Sequence, residues 1–232
     1  MGTPVEIEYA FNLDEDSGKP ALYILQLKPL IHIQDRIDVD LNSVGESDAF
    51  IRSDKTMGNG RESGLYDILW VDPATFDRSR TVEMAAEIEA IDARMKREGK
   101  RCILVGPGRW GTRDRWLGIP VTFAQISSAK VIVEVDLPGF VVDSSLGSHF
   151  FHNLTSMNIG YMKIIQDGGG SIDWEWLRSM PAKMTTEHCR WTSLETPVEV
   201  LMDGRSSKAV ILKQAPPIIE NSFDQPVGII DG

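Results

Sequence analysis

The sequence predicts an α/β or α+β fold built on a mixed β-sheet with flanking helices, and three observations carry that expectation. Apolar and polar residues alternate with period two near the start, in Val5 to Phe11 and Tyr23 to Lys28, and a turn dipeptide, Asp203-Gly204, sits between two apolar runs near the end. A helical apolar stripe occupies Thr81 to Lys100 and feeds directly into the apolar run Cys102 to Val105. Strand and helix signals therefore interleave, which favours helices packed on a sheet over an all-β architecture. The two hairpin signals imply antiparallel pairs, so the sheet should be mixed.

Val5 to Pro29 (VEIEYAFNLDEDSGKPALYILQLKP) reads as two strands around a polar loop. Val5, Ile7, Tyr9 and Phe11 share one face of the first strand, and Tyr23, Leu25 and Leu27 share a face of the second. Gln34 to Gly64 is polar, and Ser53 to Gly64 is so rich in turn formers that it reads as loop. Leu65 to Val71 is a strand stopped by Asp72-Pro73. In the Thr81 helix, Val82, Ala85, Ala86, Ile88 or Glu89, Ile91, Ala93 and Met95 form the apolar stripe and Gly99 closes it. Its charged residues, Glu83, Glu87, Glu89, Asp92, Arg94 and Lys96, read as a solvated face. Cys102 to Val105 and Val131 to Val135 read as buried strands. Leu146 to Met157 is a short helix capped by Asp143 or Ser144. Tyr161 to Ile165 is a strand, Trp174 to Met180 a short helix and Glu187 to Leu194 a strand. Val198 to Met202 and Lys208 to Lys213 form the hairpin around Asp203-Gly204.

The 232 residues allow one large or two small domains, and 42% hydrophobic residues are ample for a core. A net charge of −10 argues against nucleic acid as a partner. No apolar run approaches the ~20 residues of a membrane-spanning helix, and no secretory leader pattern opens the chain, so no membrane partner is expected and the cytoplasm is the expected compartment. The 2 cysteines, Cys102 and Cys189, lie far apart without zinc-type spacing, and Cys102 reads as a buried free thiol.

On paired strands, Glu8, Gln26 and Lys28 can lie together on the polar face opposite the apolar floor. A carboxylate, an amide and an ammonium suit a metal-bound polyphosphate. The same segment resembles the end of the ATP-grasp nucleotide-binding domain of phosphoenolpyruvate synthases and pyruvate phosphate dikinases. That family shows D-I-E-[FWY], a short loop and L-Y-x-L-Q-x-R-P. Here the residues are Glu6-Ile7-Glu8-Tyr9 and Leu22-Tyr23-Ile24-Leu25-Gln26-Leu27-Lys28-Pro29. The resemblance implies that Glu8 binds Mg²⁺ and that Gln26 contacts a nucleotide phosphate, with ATP and Mg²⁺ as cofactors. Lys28 stands where the family has Arg, which keeps the charge and loses the bidentate fork.

The family's glycine-rich ATP loop and its T-S-H-A-type phosphohistidine segment are not in this sequence, and its pyruvate-binding barrel needs about 250 residues by itself. From about Ile103 the chain is similar to an extension in large phosphoenolpyruvate-synthase-like proteins. Gly106-Pro107-Gly108-Arg109-Trp110-Gly111 and Ser148 to Ser156 carry that similarity. The expected organisation is thus the end of an incomplete ATP-grasp domain over 1–33, an α/β extension over 34–220, and a loosely ordered tail over 221–232. The expected function is a fragment of an ATP-dependent phosphotransferase that works with the rest of its parent polypeptide and is inactive alone. The alternative is an accessory domain that binds a small anionic ligand or another domain.

Gly106 to Gly118 (GPGRWGTRDRWLG) is the second chemical feature. Its glycines, Arg109, Arg113 and Arg115, and Trp110 and Trp116 suit an anion with a flat part, placed beyond the carboxyl end of a strand. The same arginines can instead pair with the chain's own carboxylates. His149 and His152, three apart on the predicted helix, open a metal site, an anion contact with Asn153 and Arg109, or plain surface hydrogen bonding; no third metal ligand follows them in the segment. Met57-Gly58-Asn59-Gly60 reads as a flexible loop more than as a phosphate cradle.

Overall fold

The computed structural model describes residues 5–12, 21–29, 41, 44–145, 149–165 and 168–213. The chain divides into two compact units, Met1–Arg36 and Ile37–Gly232. The expected loosely ordered tail, 221–232, lies outside the described residues.

The first unit is an antiparallel hairpin of β1 (Val5–Asn12) and β2 (Ala21–Pro29). Glu6 pairs with Lys28, Ile7 with Leu27 and Glu8 with Gln26; the register then slips, so that Tyr9 pairs with Ile24, Ala10 with Tyr23 and Phe11 with Leu22. The extra residue is Leu25. Such a bulge reverses the facing of the residues beyond it. Leu22 and Ile24 therefore join the face of Ile7, Tyr9 and Phe11, and Tyr23 leaves it. That corrects the strict alternation expected for β2. The apolar face is also no buried floor: Ile7 is 47% and Tyr9 63% exposed, and among the described residues no third strand of this unit pairs with the two.

The second unit runs β3 (Ala49–Ser53), β4 (Lys55–Met57), β5 (Gly60–Val71), α1 (Thr81–Arg97), β6 (Cys102–Pro107), β7 (Arg109–Trp110), β8 (Gly118–Ile119), β9 (Ala129–Val135), α2 (His149–Ser156), β10 (Gly160–Ile164), β11 (Gly170–Ile172), α3 (Trp174–Ser179), β12 (Ala182–Thr185), β13 (Cys189–Asp203) and β14 (Lys208–Leu212). One mixed sheet has the order β11-β3-β14-β13-β5-β6-β9-β10-β4, with β12 on β13. β5, β6, β9 and β10 are parallel to one another, and the flanking pairs are antiparallel. Parallel neighbours need crossovers, and α1 and α2 lie in those between β5 and β6 and between β9 and β10. β3 and β4 are consecutive stretches of chain, yet β3 pairs with β14 and β4 with β10. From β3 the hydrogen-bonded path thus runs through β14, β13, β5, β6, β9 and β10 to β4, the next stretch of chain after β3. Ser53 Oγ donates to Lys163 O at 2.8 Å across that junction.

Side-chain alternation sorts the apolar residues into separate layers. Phe50, Leu65, Ile68, Trp70, Ile103, Val105, Val131, Val133, Met162, Val200 and Ile211 pack together on one face. On the other, Leu69, Leu104, Ile132, Tyr161 and Trp191 pack under the buried face of α1. That face is Thr81, Met84, Ala85, Ile88, Ile91 and Met95. Val82, Ala86 and Ala93, expected in the stripe, are exposed. Gly99 takes φ 65° and Lys100 N–H returns to Met95 O at 2.9 Å, closing the helix where the sequence places its end.

Several strands depart from expectation. The Ser53 to Gly64 stretch, read as loop, carries β4 and the first part of β5. Gly60, Arg61 and Glu62 pair with Met202, Leu201 and Val200, so the partner imposes the extended form that the residues themselves disfavour. Asp54, between β3 and β4, and the turn Gly58-Asn59 are what remain outside the strands, with Gly58 at φ 129°. β13 is one strand where two were expected; it continues through Pro197 because the register shifts between Ser193 and Val198. The Asp203-Gly204 hairpin forms, but it is Ser207 that takes the left-handed conformation, at φ 57°. The described part of α2 is His149–Ser156, and residues 146–148, on which the expected cap by Asp143 or Ser144 depends, lie outside the described residues. Cys102 and Cys189 are buried free thiols, and burial pushes both pKa values up.

Candidate functional site

In the hairpin, Glu8 and Gln26 are directly opposed across the strands. Directly opposed residues put their Cβ atoms about 5 Å apart on one face. Both side chains are exposed. Lys28 is the partner of Glu6 in the register, and its side chain lies outside the described residues. A carboxylate beside an amide offers oxygen ligands and an N–H donor side by side.

The second concentration of polar groups lies at the carboxyl end of β6, β9 and β10. Glu134, next to last in the largely apolar β9, is fully buried. It accepts from Trp110 N–H at 3.1 Å, Ser145 N–H at 3.2 Å, the Ser145 hydroxyl and the Tyr161 hydroxyl at 2.7 Å. Buried carboxylates persist only when so satisfied. Burial and the adjacent Glu134 charge push the Tyr161 phenol far up, so it stays protonated and donates. Two residues on, Asp136 meets Lys163 at 2.6 Å in a buried ion pair, though the ammonium is not well aligned for a hydrogen bond. Val142 N–H also donates to Asp136, at 3.3 Å. Glu134 and Asp136 thus tie both the loop after β6 and the segment after β9 to the sheet. Neither was singled out from sequence. The available signal was two acidic residues at i, i+2 inside VIVEVD, a run otherwise apolar enough to be buried.

The Gly106 to Gly118 loop divides in its roles. Trp110 is buried, donates Nε1–H to Val133 O at 3.0 Å, and lies where a Cβ on Gly106 would come within 2.5 Å of it. It is a core plug, and only glycine fits at 106. Arg115 stacks on the exposed Trp116 at 4.9 Å and donates to Ser79 O. Arg109 donates Nε–H to Asp143 O at 2.6 Å; its terminal nitrogens have no partner among the described residues. Arg113 is exposed. Gly111, at φ 68°, presses on Phe150, where a Cβ would lie 2.0 Å from the ring. The loop and α2 are therefore neighbours. Phe150 and Leu154 are buried in the core, and Asn153 is exposed. The side chains of His149 and His152 lie outside the described residues.

Among the described residues, a cleft is outlined away from Arg109, by Arg52, Asp54, Gly168, Gly170, Ser171 and Lys208. Arg52 is occupied there in clamping the carbonyls of Leu41, Val44 and Gly45. No described helix is long and apolar enough to cross a membrane. No family model, curated protein or solved structure matches the chain.

Proposed function

We propose that this chain is part of an ATP-dependent phosphotransferase of the phosphoenolpyruvate synthase and pyruvate phosphate dikinase type, contributing Mg-nucleotide contacts to a longer cytoplasmic protein. The observation that carries the reading is the cross-strand pairing of Glu8 with Gln26, which puts the carboxylate and the amide on one exposed face. Their chemistry fits a hard, oxygen-liganded cation beside a polyphosphate. In this reading Glu8 holds Mg²⁺, and Gln26 and Lys28 steady nucleotide phosphates. A Mg²⁺ held by Glu8 would supply neutralisation of charge on the transferred phosphoryl group. The hairpin's exposed apolar face is further support, since an isolated two-stranded hairpin is marginal in water and calls for the remainder of an ATP-grasp domain.

Titration of Mg-ATP into the longer parent protein and into the 232-residue chain tests this reading. The parent should bind, and its Glu8→Gln variant should lose at least tenfold in Mg-dependent affinity, about 1.4 kcal/mol. The shorter chain should form no phosphoenolpyruvate from pyruvate and ATP. Unchanged affinity in the Glu8→Gln parent would remove the assignment.

One observation favours the second reading, an accessory domain that binds a small anion. The Arg109 guanidinium keeps its terminal donors unengaged among the described residues, beside α2. Under that reading Arg109→Ala weakens binding of the parent's anionic ligand by about 1.5–3 kcal/mol, the scale of hydrogen bonds to charged groups, and leaves thermal stability unchanged.

A further inference from the structure

The first turn of α1 and the turn between β12 and β13 bring Glu83, Glu187 and His188 together, with one ligand atom of each within 4.8 Å of the others. Two exposed carboxylates near each other mean little by themselves. The histidine is different. His188 is only 6% exposed, and its Nδ1 lies 2.6 Å from Glu87 Oε1. Glu87 Oε2 also accepts the His188 backbone N–H at 2.9 Å and the Thr186 hydroxyl. That carboxylate fixes the ring's orientation and assigns the proton to Nδ1. Nε2 is the ring nitrogen that this contact leaves over, and it takes no hydrogen bond among the described residues. Metal-ligating histidines are held in this way, with the remote nitrogen donating to a carboxylate.

We propose that Glu83, Glu187 and His188 Nε2 form a site for a first-row divalent transition-metal ion of the Zn²⁺ class, with Glu87 as the residue that positions the imidazole. An imidazole in the ligand set favours such an ion over Mg²⁺ or Ca²⁺. The exposure of Glu83 and Glu187 leaves room for water to complete the coordination. Arg80 pairs with both of these carboxylates. Its guanidinium stands between them as a cation, so an incoming ion must displace it. Arg80 is therefore a built-in competitor that weakens the site. An arginine clamp accounts for Glu83 and Glu187, but not for a buried imidazole oriented by a further carboxylate. An ion there would pin the start of α1 to the β12–β13 turn. The site owes nothing to the nucleotide reading.

The test uses the untagged 232-residue chain, stripped with chelator. Zn²⁺ binding is followed by calorimetry, and Co²⁺ by its visible absorption. Wild type should bind one equivalent. Arg80→Met should bind more tightly, because the competing cation is gone. Glu87→Gln should bind roughly 10- to 100-fold more weakly, the usual effect of removing a carboxylate behind a ligating histidine. His188→Gln and the double variant Glu83→Gln/Glu187→Gln should lose the Co²⁺ spectrum. The double variant alters only exposed side chains, so it decides the matter if His188→Gln does not fold. The proposal is overturned if neither wild type nor Arg80→Met binds, if the double variant binds like wild type, or if binding is lost in His149→Gln/His152→Gln instead.

Discussion

The molecule contains two hairpins with much the same local pattern and opposite fates. β1–β2 and β13–β14 are both antiparallel, and both are rich in alternating apolar residues. In β13–β14 the alternate residues Val198, Val200 and Ile211 are completely buried against strands β5, β6, β9 and β10. In β1–β2 the corresponding Ile7, Tyr9, Phe11, Leu22 and Ile24 are exposed. Alternation therefore reports that a strand is built to be covered on one face. It does not report whether the cover is supplied within its own unit.

The largest test of that contrast is truncation. Ile211→Ala empties a fully buried position and should cost about 2–5 kcal/mol in denaturant unfolding of the chain. Ile24→Ala should stay within about 0.5 kcal/mol in the same measurement. Similar losses at both sites would break the comparison and mean that the β1–β2 face is covered in solution. In the longer parent protein, the nucleotide reading expects Ile24→Ala to become costly as well.

A second test compares two glutamates. Glu134 is buried and satisfied by Trp110, Ser145 and Tyr161, whereas Glu8 stands exposed on its hairpin. Tyr161→Phe removes a donor from the buried carboxylate and should cost about 1–3 kcal/mol. Glu8→Gln should leave the melting temperature of the same chain unchanged. A stable Tyr161→Phe protein would show that water replaces the phenol.

The smallest expected effect depends on pH and belongs to the second unit alone. Burial tends to raise the pKa of Asp72, but the Arg178 hydrogen bonds and the Ala74 N–H outweigh it and hold the carboxyl below its ordinary value. A depressed folded-state pKa gives stability that is fully present above the unfolded value of 3.8 and is lost as pH falls through the folded value. Arg178 is partly exposed, so the contribution should be about 1 kcal/mol at most. Asp72→Asn should be destabilised near neutral pH and converge on wild type in strong acid. Parallel curves across the whole range would remove the pair from the account.

Much of the architecture was legible from residue periodicity. The α1 boundaries came from a stripe closed by Gly99, and the buried strands around Ile103 and Val133 came from short apolar runs. The mixed character of the sheet came from hairpin signals beside a helical crossover. On the opening hairpin, period two was enough to place Glu8 and Gln26 on the same side. These features depend on neighbours within a few residues, which is the range over which sequence pattern and backbone geometry are coupled.

Contacts between distant segments decided the rest. The polar start of β5 is a strand because β13 pairs with it, and β13 crosses Pro197 because a register shift leaves the ring without a hydrogen-bonding duty. A bulge in β2, set by the partner strand, turned Tyr23 to the opposite face. Glu87 and Asp92 read as solvated charges on a helix. His188, 101 residues away, engages the first, and the Ser127 and Ser128 amides, 35 and 36 residues away, engage the second. Sequence by itself determined which segments extend, which coil and which faces are apolar, because those depend on local sterics and side-chain spacing. Only the tertiary structure decided which charges are buried and satisfied, because a carboxylate's environment is set by whichever distant segments fold against it.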